Sequence, residues 1–457
     1  MFAVIVVCAV TGTAAAQDAT PPAGLTLGQA MDAALKNYPL VRVSQEQIRA
    51  AAAGIQLART AYLPRVDLLA QANRATRNNV FGMLLPQGVI PSISGPVLGT
   101  NNLGSAWGSV VGTLVTWEPF DFGLRQASVA AATAARTQQE ATLKRTQFEV
   151  MVAAADAYIT LVAAQETVRA AQAGVDRAEV IFRTIGALVN AQLRPGADAS
   201  RAQAELAAAR TQLIQAQQAV EVARANLSQF VGLEPAQITI SAPRLLQLPP
   251  EQTMAPLDTA TNPLSVAQNA VVEQLQSELV TLERSYFPRF FLQGSAYVRG
   301  TGDELNGVDL GGLNGLAPTT QNYAVGLSVT FPVFDLAAIR AREAGQSATI
   351  RAEAARYQQI ATDLKARWNV AVATLGGARH VAANTPVEVA AARAATNQAT
   401  ARYQSGLGNI DEVAEAQRLL TQAEIDDALA RLGVWRGLLG VAGAAGDLQP
   451  FVVEASQ

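Results

Sequence analysis

Leu161–Val189 reads LVAAQETVRAAQAGVDRAEVIFRTIGALV. Large residues return at every seventh position, as Leu161, Val168, Val175, Phe182 and Val189. Ala164, Ala171, Ala178 and Ile185 fill a second position of the same period. An apolar repeat of seven sustained this long is the pattern of helices that wind around one another. Alanine is the best helix former, and an alanine seam lets neighbouring helices approach closely. The surrounding stretch from Phe122 to Gln192 has no proline. At ~1.5 Å per residue it predicts a helix roughly 100 Å long.

The next helix answers with Leu206, Leu213, Val220 and Leu227, beside Ala202, Ala209, Ala216, Ala223 and Phe230. In the C-terminal half, Val413 and Leu420 with Ala416, Ala423 and Ala430 continue the scheme, and Asp427 falls on the large-residue seam. Two short turns separate the paired helices: Leu193-Arg194-Pro195-Gly196-Ala197-Asp198 and Tyr403-Gln404-Ser405-Gly406-Leu407-Gly408-Asn409. Glycine ends one helix, and Asp198 or Asn409 is read as capping the next.

The chain repeats itself. Ala61-Tyr62-Leu63-Pro64-Arg65 matches Ser285-Tyr286-Phe287-Pro288-Arg289. Gly112-Thr113-Leu114-Val115-Thr116-Trp117 precedes Phe120-Asp121, and Gly326-Leu327-Ser328-Val329-Thr330-Phe331 precedes Phe334-Asp335 with the same spacing. A period above 200 residues is a duplication and not a solenoid. The expected organisation is a first repeat over 17–235, a linker over 236–261 bearing Pro243, Pro249, Pro250 and Pro256, a second repeat over 262–447, and a tail over 448–457. Each repeat reads as helix, β-hairpin, long helical hairpin. The β-hairpins are expected at 66–117 and 290–331, and the helical hairpins at 122–231 and 335–440.

In the strands, Val66, Leu68, Ala70 and Ala72 alternate with Asp67, Gln71 and Asn73. Phe290, Leu292, Gly294, Ala296 and Val298 alternate with Gln293, Ser295, Tyr297 and Arg299, and Tyr323, Val325, Leu327, Val329 and Phe331 repeat the scheme. Two readings fit. A soluble sheet with one face on a core alternates in this way. So does a membrane barrel with its apolar face to lipid and its polar face to a lumen. Tyr62, Trp107, Trp117, Tyr286, Phe287 and Phe331 at the strand ends suit an interfacial girdle.

Composition narrows the function. The chain has 457 residues, 50% apolar but only 5% aromatic, and its net charge is −3 without a basic cluster, so a nucleic-acid surface is not expected. One cysteine and one histidine cannot supply a structural zinc site or a Cys/His catalytic pair. His380 is read as a surface or interhelix residue. Asp426-Asp427 are adjacent on a helix and do not face one another, so they make no acid/base pair. No enzyme activity, cofactor or metal is expected. Residues 1–16, with the apolar run Val4–Val10 and small residues before Gln17, have the form of a secretory signal, although no Lys or Arg precedes the run. Cys8 lies within that run after Val7, which is not the small residue a lipid-attachment site calls for. Export is the context, and no later segment reads as a transmembrane helix. Four strands cannot close a barrel with a lumen, and lipid does not tolerate an open edge. Other copies would complete it, two chains giving eight strands and three giving twelve.

Leu25-Thr26-Leu27-Gly28-Gln29-Ala30 with Asn37-Tyr38-Pro39, Tyr62-Leu63-Pro64, Phe120-Asp121-Phe122-Gly123, Arg194-Pro195-Gly196-Ala197-Asp198 and Tyr403-Gln404-Ser405-Gly406 follow in order. With the duplication and the heptads, they make the chain resemble the TolC-type outer-membrane efflux proteins over essentially its whole mature length. The resemblance implies an α+β membrane protein, a long coiled-coil α-barrel joined to a β-barrel, with four strands per chain and a trimeric 12-stranded barrel. It implies a homotrimer in the outer membrane of a Gram-negative bacterium, reaching into the periplasm. It also implies passive conduction of cargo handed over by a periplasmic adaptor and an inner-membrane pump of RND or ABC type. A type I protein-secretion duct and a non-pore periplasmic coiled-coil scaffold are the alternatives.

The resemblance maps adaptor docking and the closing aperture to the periplasmic tips, at Arg194, Pro195, Gly196, Gly406, Leu407 and Gly408. Asp198, Asp411, Glu412 and Glu415 are candidate aperture charges, and equally candidate acids that stabilise helix N-termini. Pro64, Pro119, Pro288 and Pro332 sit where helix meets strand and are read as barrel joints. The loops Val80–Ser105 and Gly300–Thr320 are expected to face outward from the cell, and Gly232–Asn262 to belt the tube.

Overall fold

The computed structural model describes residues 24–76, 104–251, 256–302, 304 and 308–456. The expected signal segment 1–16 with Cys8, nearly all of the loop Val80–Ser105, and part of the loop Gly300–Thr320 lie outside the described residues. The elements run α1 (Leu27–Asn37), α2 (Pro39–Thr60), β1 (Arg65–Thr76), β2 (Ser105–Phe120), α3 (Leu124–Asn190), α4 (Gly196–Val231), α5 (Pro263–Arg284), β3 (Arg289–Thr301), β4 (Thr320–Thr330), α6 (Leu336–Gln404), α7 (Ile410–Ala445) and α8 (Gln449–Ser456). The fold is mostly helical with a four-stranded sheet.

The chain divides into two compact units, and each repeat contributes to both. One comprises Met1–Val41, Thr146–Asn262 and Asp363–Gln457. Its core follows the heptads. Leu161, Ala171, Val175, Ala178 and Ile185 of α3 are buried, as are Ala202, Leu206, Ala216, Val220, Ala223 and Leu227 of α4. Val413, Ala416, Leu420, Ala423 and Ala430 of α7 are buried likewise. The largest cluster gathers Tyr158, Ile159, Leu227 and Trp435 with Ile238 and Leu245 of the linker. The linker is stitched down by polar contacts: a parallel bridge joins Leu25 to Ile240, and the Trp435 indole donates to the Gln247 carbonyl at 2.8 Å. Tyr158 Oη lies 2.8 Å from the carbonyls of both Leu25 and Ser241, and burial pushes this hydroxyl's pKa up.

Several local outcomes differ from the sequence reading. The last residues, expected as a tail, form α8, because Phe451 finds a place in the core edge-on to Trp435. Asp198 does not cap α4. Pro195 occupies the N-cap and no side chain bonds there, whereas Asn409 caps α7 as expected, accepting from Glu412 N at 2.9 Å. Asp427 on the apolar seam is satisfied by the Thr385 hydroxyl at 2.9 Å and by Arg431. α6 continues through Pro386, giving up the bond its amide would have made. α3 contains a stretch apolar enough to cross a bilayer, half of it buried. An alanine-rich coiled-coil seam reads this way by composition alone.

The second unit comprises Arg42–Arg145 and Pro263–Thr362 and holds the sheet. The strands form an antiparallel meander in the order β1-β2-β3-β4. Pairing puts Val66, Leu68 and Ala70 across from Val115, Thr113 and Val111, and these across from Gly294, Ala296 and Val298. Leu292, Gly294 and Ala296 face Leu327, Val325 and Tyr323 in turn. All share one face, and that face is the uncovered one: Leu68 is 83% exposed and Tyr323 85%, while Gln293 on the opposite face is 6% exposed. A soluble sheet buries its apolar face against a core. Here the polarity is reversed, as lipid requires.

Candidate functional site

Two places gather the residues singled out by sequence. The first is the foot of the sheet. Pro64 and Pro288 immediately precede β1 and β3, and Pro332 lies between β4 and α6. Pro119 sits within the last residues of β2, where the pairing to β3 shifts register between Trp117 and Phe120. A residue without an N–H cannot continue the ladder, so the strand breaks step there. The chain then turns sharply through Phe122 (φ +50°) and Gly123 (φ +90°) into α3.

An ion pair missed by the sequence reading holds this turn. Asp121 Oδ2 accepts from Arg125 Nε at 2.8 Å and from the Arg125 amide at 2.7 Å, and Oδ1 accepts from the Gly123 amide at 3.1 Å. Both side chains are nearly buried. The Arg125 guanidinium lies 4.7 Å over the Tyr62 ring. Burial pushes the Asp121 carboxyl up, but the hydrogen bonds and charge of Arg125 outweigh it and hold its pKa below the usual carboxylate range. Beside it, Arg289 grips Glu118 with two bonds of 2.7 and 2.6 Å. In the second repeat, Tyr286 donates to Glu343 at 2.7 Å, and that hydrogen bond raises its pKa.

The second place is the pair of helical turns, where α3 passes into α4 and α6 into α7. Arg194 stacks 4.4 Å over the Tyr403 ring and donates to the Tyr403 carbonyl. The Tyr403 hydroxyl donates to Asp198 Oδ2 at 2.8 Å. Burial and the neighbouring Asp198 push the Tyr403 pKa up to about 12. The ring is enclosed by Ile185, Ala202, Ile410 and Val413. Gly406 holds a φ of +79°, which a residue with a Cβ rarely adopts, and that conformation ends α6.

The acids named in advance each have a partner within the chain. Asp198 has Tyr403, Asp411 has Arg201 at 3.2 Å, Glu412 has Arg402 at 3.7 Å, and Glu415 has Arg418 at 2.6 Å. Arg201 meets Asp411 between α4 and α7 and Arg402 meets Glu412 across the α6–α7 turn, so those pairings were not legible in the sequence, whereas Arg418 lies three residues after Glu415 on α7. Leu193 is 69% exposed and Leu407 75%, among exposed polar residues of the same turns such as Gln192, Gln404 and Ser405.

His380 lines a groove of about 620 Å³ between α6 and α7, with Asn384, Glu388, Asp426 and Leu429. Among the described residues no three His, Cys, Asp or Glu side chains gather to hold a metal.

The family model described as outer membrane efflux protein matches residues 30–233 and 260–446. Protein CyaE of Bordetella pertussis is 28% identical over 227 residues, which are 49% of this chain and 44% of CyaE. The chain thus matches less than half the length of that relative. The cobalt-zinc-cadmium resistance protein CzcC of Cupriavidus metallidurans is 26% identical over 311 residues, 66% of this chain and 69% of CzcC. Among solved structures, the Campylobacter jejuni CmeC outer membrane channel superposes with a TM-score of 0.73 at 16% identity, covering 99% of this chain and 97% of CmeC. At that identity the likeness speaks to the fold.

Proposed function

The chain belongs to the outer membrane efflux protein family, and from that premise we propose that it is the exit duct of a tripartite efflux system. It is an outer-membrane protein of a family of channels. In this reading three copies complete a twelve-stranded barrel, and their helical hairpins line a periplasmic tunnel. Small solutes pass through it, delivered by an inner-membrane pump of RND or ABC type through a periplasmic adaptor.

The observation that carries the reading is the sheet. Its apolar face is uncovered, and β1 and β4 are open edges. Lipid accepts such a face and forbids such edges, so further strands must close the sheet into a barrel. A periplasmic coiled-coil scaffold would account for the heptads and leave this apolar face without a use.

The tips support the partner assignment. Leu193 and Leu407, exposed on stiff turns, present apolar anchors to an adaptor. Asp198 is the carboxylate of an internal tie. Asp411, Glu412 and Glu415, with side chains open to solvent, are the ones that threefold repetition would turn into a ring of charge. Reconstitution into a planar bilayer tests this. Discrete conductance steps are expected, with cation preference reduced in E412Q/E415Q. A folded, membrane-inserted protein that passes no ions would overturn the proposal.

A further inference from the structure

Between β3 and β4, at the end of the sheet away from the prolines, the chain doubles back over the outside of the strands. Ala72 pairs with Ser109 and Ser109 with Gly300, so all three lie on the uncovered apolar face that carries Leu68 and Val111. On that face Ser109 Oγ donates to the Gly315 carbonyl at 2.6 Å. A Cβ at Gly300 would come 2.5 Å from the Ala317 carbonyl oxygen and 2.6 Å from that of Gly315. The Gly302 amide donates to the Trp107 carbonyl at 2.8 Å, and a Cβ at Gly302 would come 2.7 Å from the Asn314 carbonyl oxygen. Two bare glycines therefore make room for residues 314–317 on the apolar face. A loop folded into the mouth of a channel would lean on the opposite face, the one that carries Gln293.

The turn bonds its own polar groups. The Leu310 amide donates to the Gly302 carbonyl at 2.9 Å, and the Gly311 amide donates to Asp309 Oδ1 at 2.9 Å. Asn314 Nδ2 donates to the carbonyls of Leu310 and Gly311 at 2.7 and 2.9 Å. From Val308 to Thr320 the one charged residue is Asp309. Beside the exposed Asp309 and Asn314, the turn leaves Leu310 45% exposed and Leu313 71%.

The level of the turn is marked by tryptophan. Trp107 pairs with Arg74 and Trp117 with Leu292, which puts both indoles on the apolar face. The strand between them, at ~3.4 Å per residue and a tilt of ~40°, spans about 26 Å of height, which matches an apolar band of ~25 Å. The Arg74 guanidinium stands 5.5 Å over the Trp107 ring. An aromatic ring beside a basic side chain is the furniture of the headgroup level. Deeper in the hydrocarbon an irregular backbone would be forbidden, but at this boundary apolar side chains insert while the polar backbone stays near water.

We infer that the turn 308–317 is a lipid-seated collar, which lies against the outside of the sheet at the level of Trp107 and inserts Leu310 and Leu313 among the headgroups and upper acyl chains of the outer leaflet. This rests on the reading that the apolar face meets lipid, and its apolar surface is continuous with that face.

Quenching by labelled lipid tests the placement. In a Cys8→Ser background, Leu313→Cys carries an environment-sensitive fluorophore, and the purified protein is reconstituted into phosphatidylcholine vesicles that contain doxyl-labelled phosphatidylcholine. Val325→Cys, on the apolar face, is the reference for lipid, and Leu193→Cys, on the turn between α3 and α4, is the reference for water. The Leu313→Cys label is expected to be quenched most by a doxyl group near the headgroup, and about twofold less by aqueous iodide than the Leu193→Cys label. A Leu313→Cys label that iodide quenches as strongly as Leu193→Cys, beside a lipid-quenched Val325→Cys, would overturn the collar and leave the lipid-facing sheet intact. A Val325→Cys label untouched by doxyl lipid would overturn the sheet reading and the collar together.

Discussion

Tyr403 shows how much of the tip depends on one side chain. Its ring carries Arg194, its hydroxyl holds Asp198, and its faces fill the small core between the turns. Tyrosine titrates near 10 when free. Raised to about 12 in the fold, it contributes its stabilisation fully below pH 10 and loses it as pH rises from there through about 12. An ultraviolet titration should show a tyrosine component ionising at about 12, in addition to the likewise raised Tyr158 and Tyr286, and that component should be missing in Y403F. Y403F should also lose about 1 kcal/mol at neutral pH for the deleted hydrogen bond. A Y403F titration identical to wild type would contradict the assignment. Asp121 behaves with the opposite sign. Its carboxyl is held low, so its contribution is present above the ordinary carboxylate pKa near 4 and lost as pH falls through the depressed value. Asp121→Asn strands the buried Arg125 charge and should cost about 3 kcal/mol or more in thermal unfolding. The repeated Phe-Asp was legible in the sequence, but its arginine was not. The second repeat has Ile339 where the first has Arg125, so the ion pair is not part of the duplicated pattern.

At the level of elements, the heptads told most of the truth. The residues read on the seams of α3, α4 and α7 are largely buried, because a seven-residue period leaves them no other face. Asp427 was legible as an exception but not as a satisfied one, since its partner Thr385 lies 42 residues earlier, on the facing helix. α8 escaped notice because eight residues carry too little periodicity to stand out. Glycines within α7 separate two effects. At Gly437 a Cβ would come 3.0 Å from Leu375 Cα, so Gly437→Ala should force α6 and α7 apart and cost about 1–3 kcal/mol. At Gly433 nothing lies within 4 Å, so Gly433→Ala should stabilise by about 1 kcal/mol through helix propensity alone. Helical circular dichroism during thermal unfolding reads both. Equal effects from the two substitutions would show that the close crossing at Gly437 is not as described.

For the whole molecule, alternation in the strands was plain in the sequence, while the choice between a soluble sheet and a lipid-facing one was not. Both patterns have period two, and only the three-dimensional arrangement shows which face is left uncovered. The uncovered face is the apolar one, with Leu68, Tyr323, Val325 and Leu327 exposed. Copy number was equally out of reach of sequence, because an open edge calls for partners without counting them. The measurement that bears most directly on the account is the mass of the protein extracted from an outer-membrane fraction, corrected for bound detergent. A particle of three chains is expected. A single chain, or protein recovered from the periplasm without detergent, would contradict it.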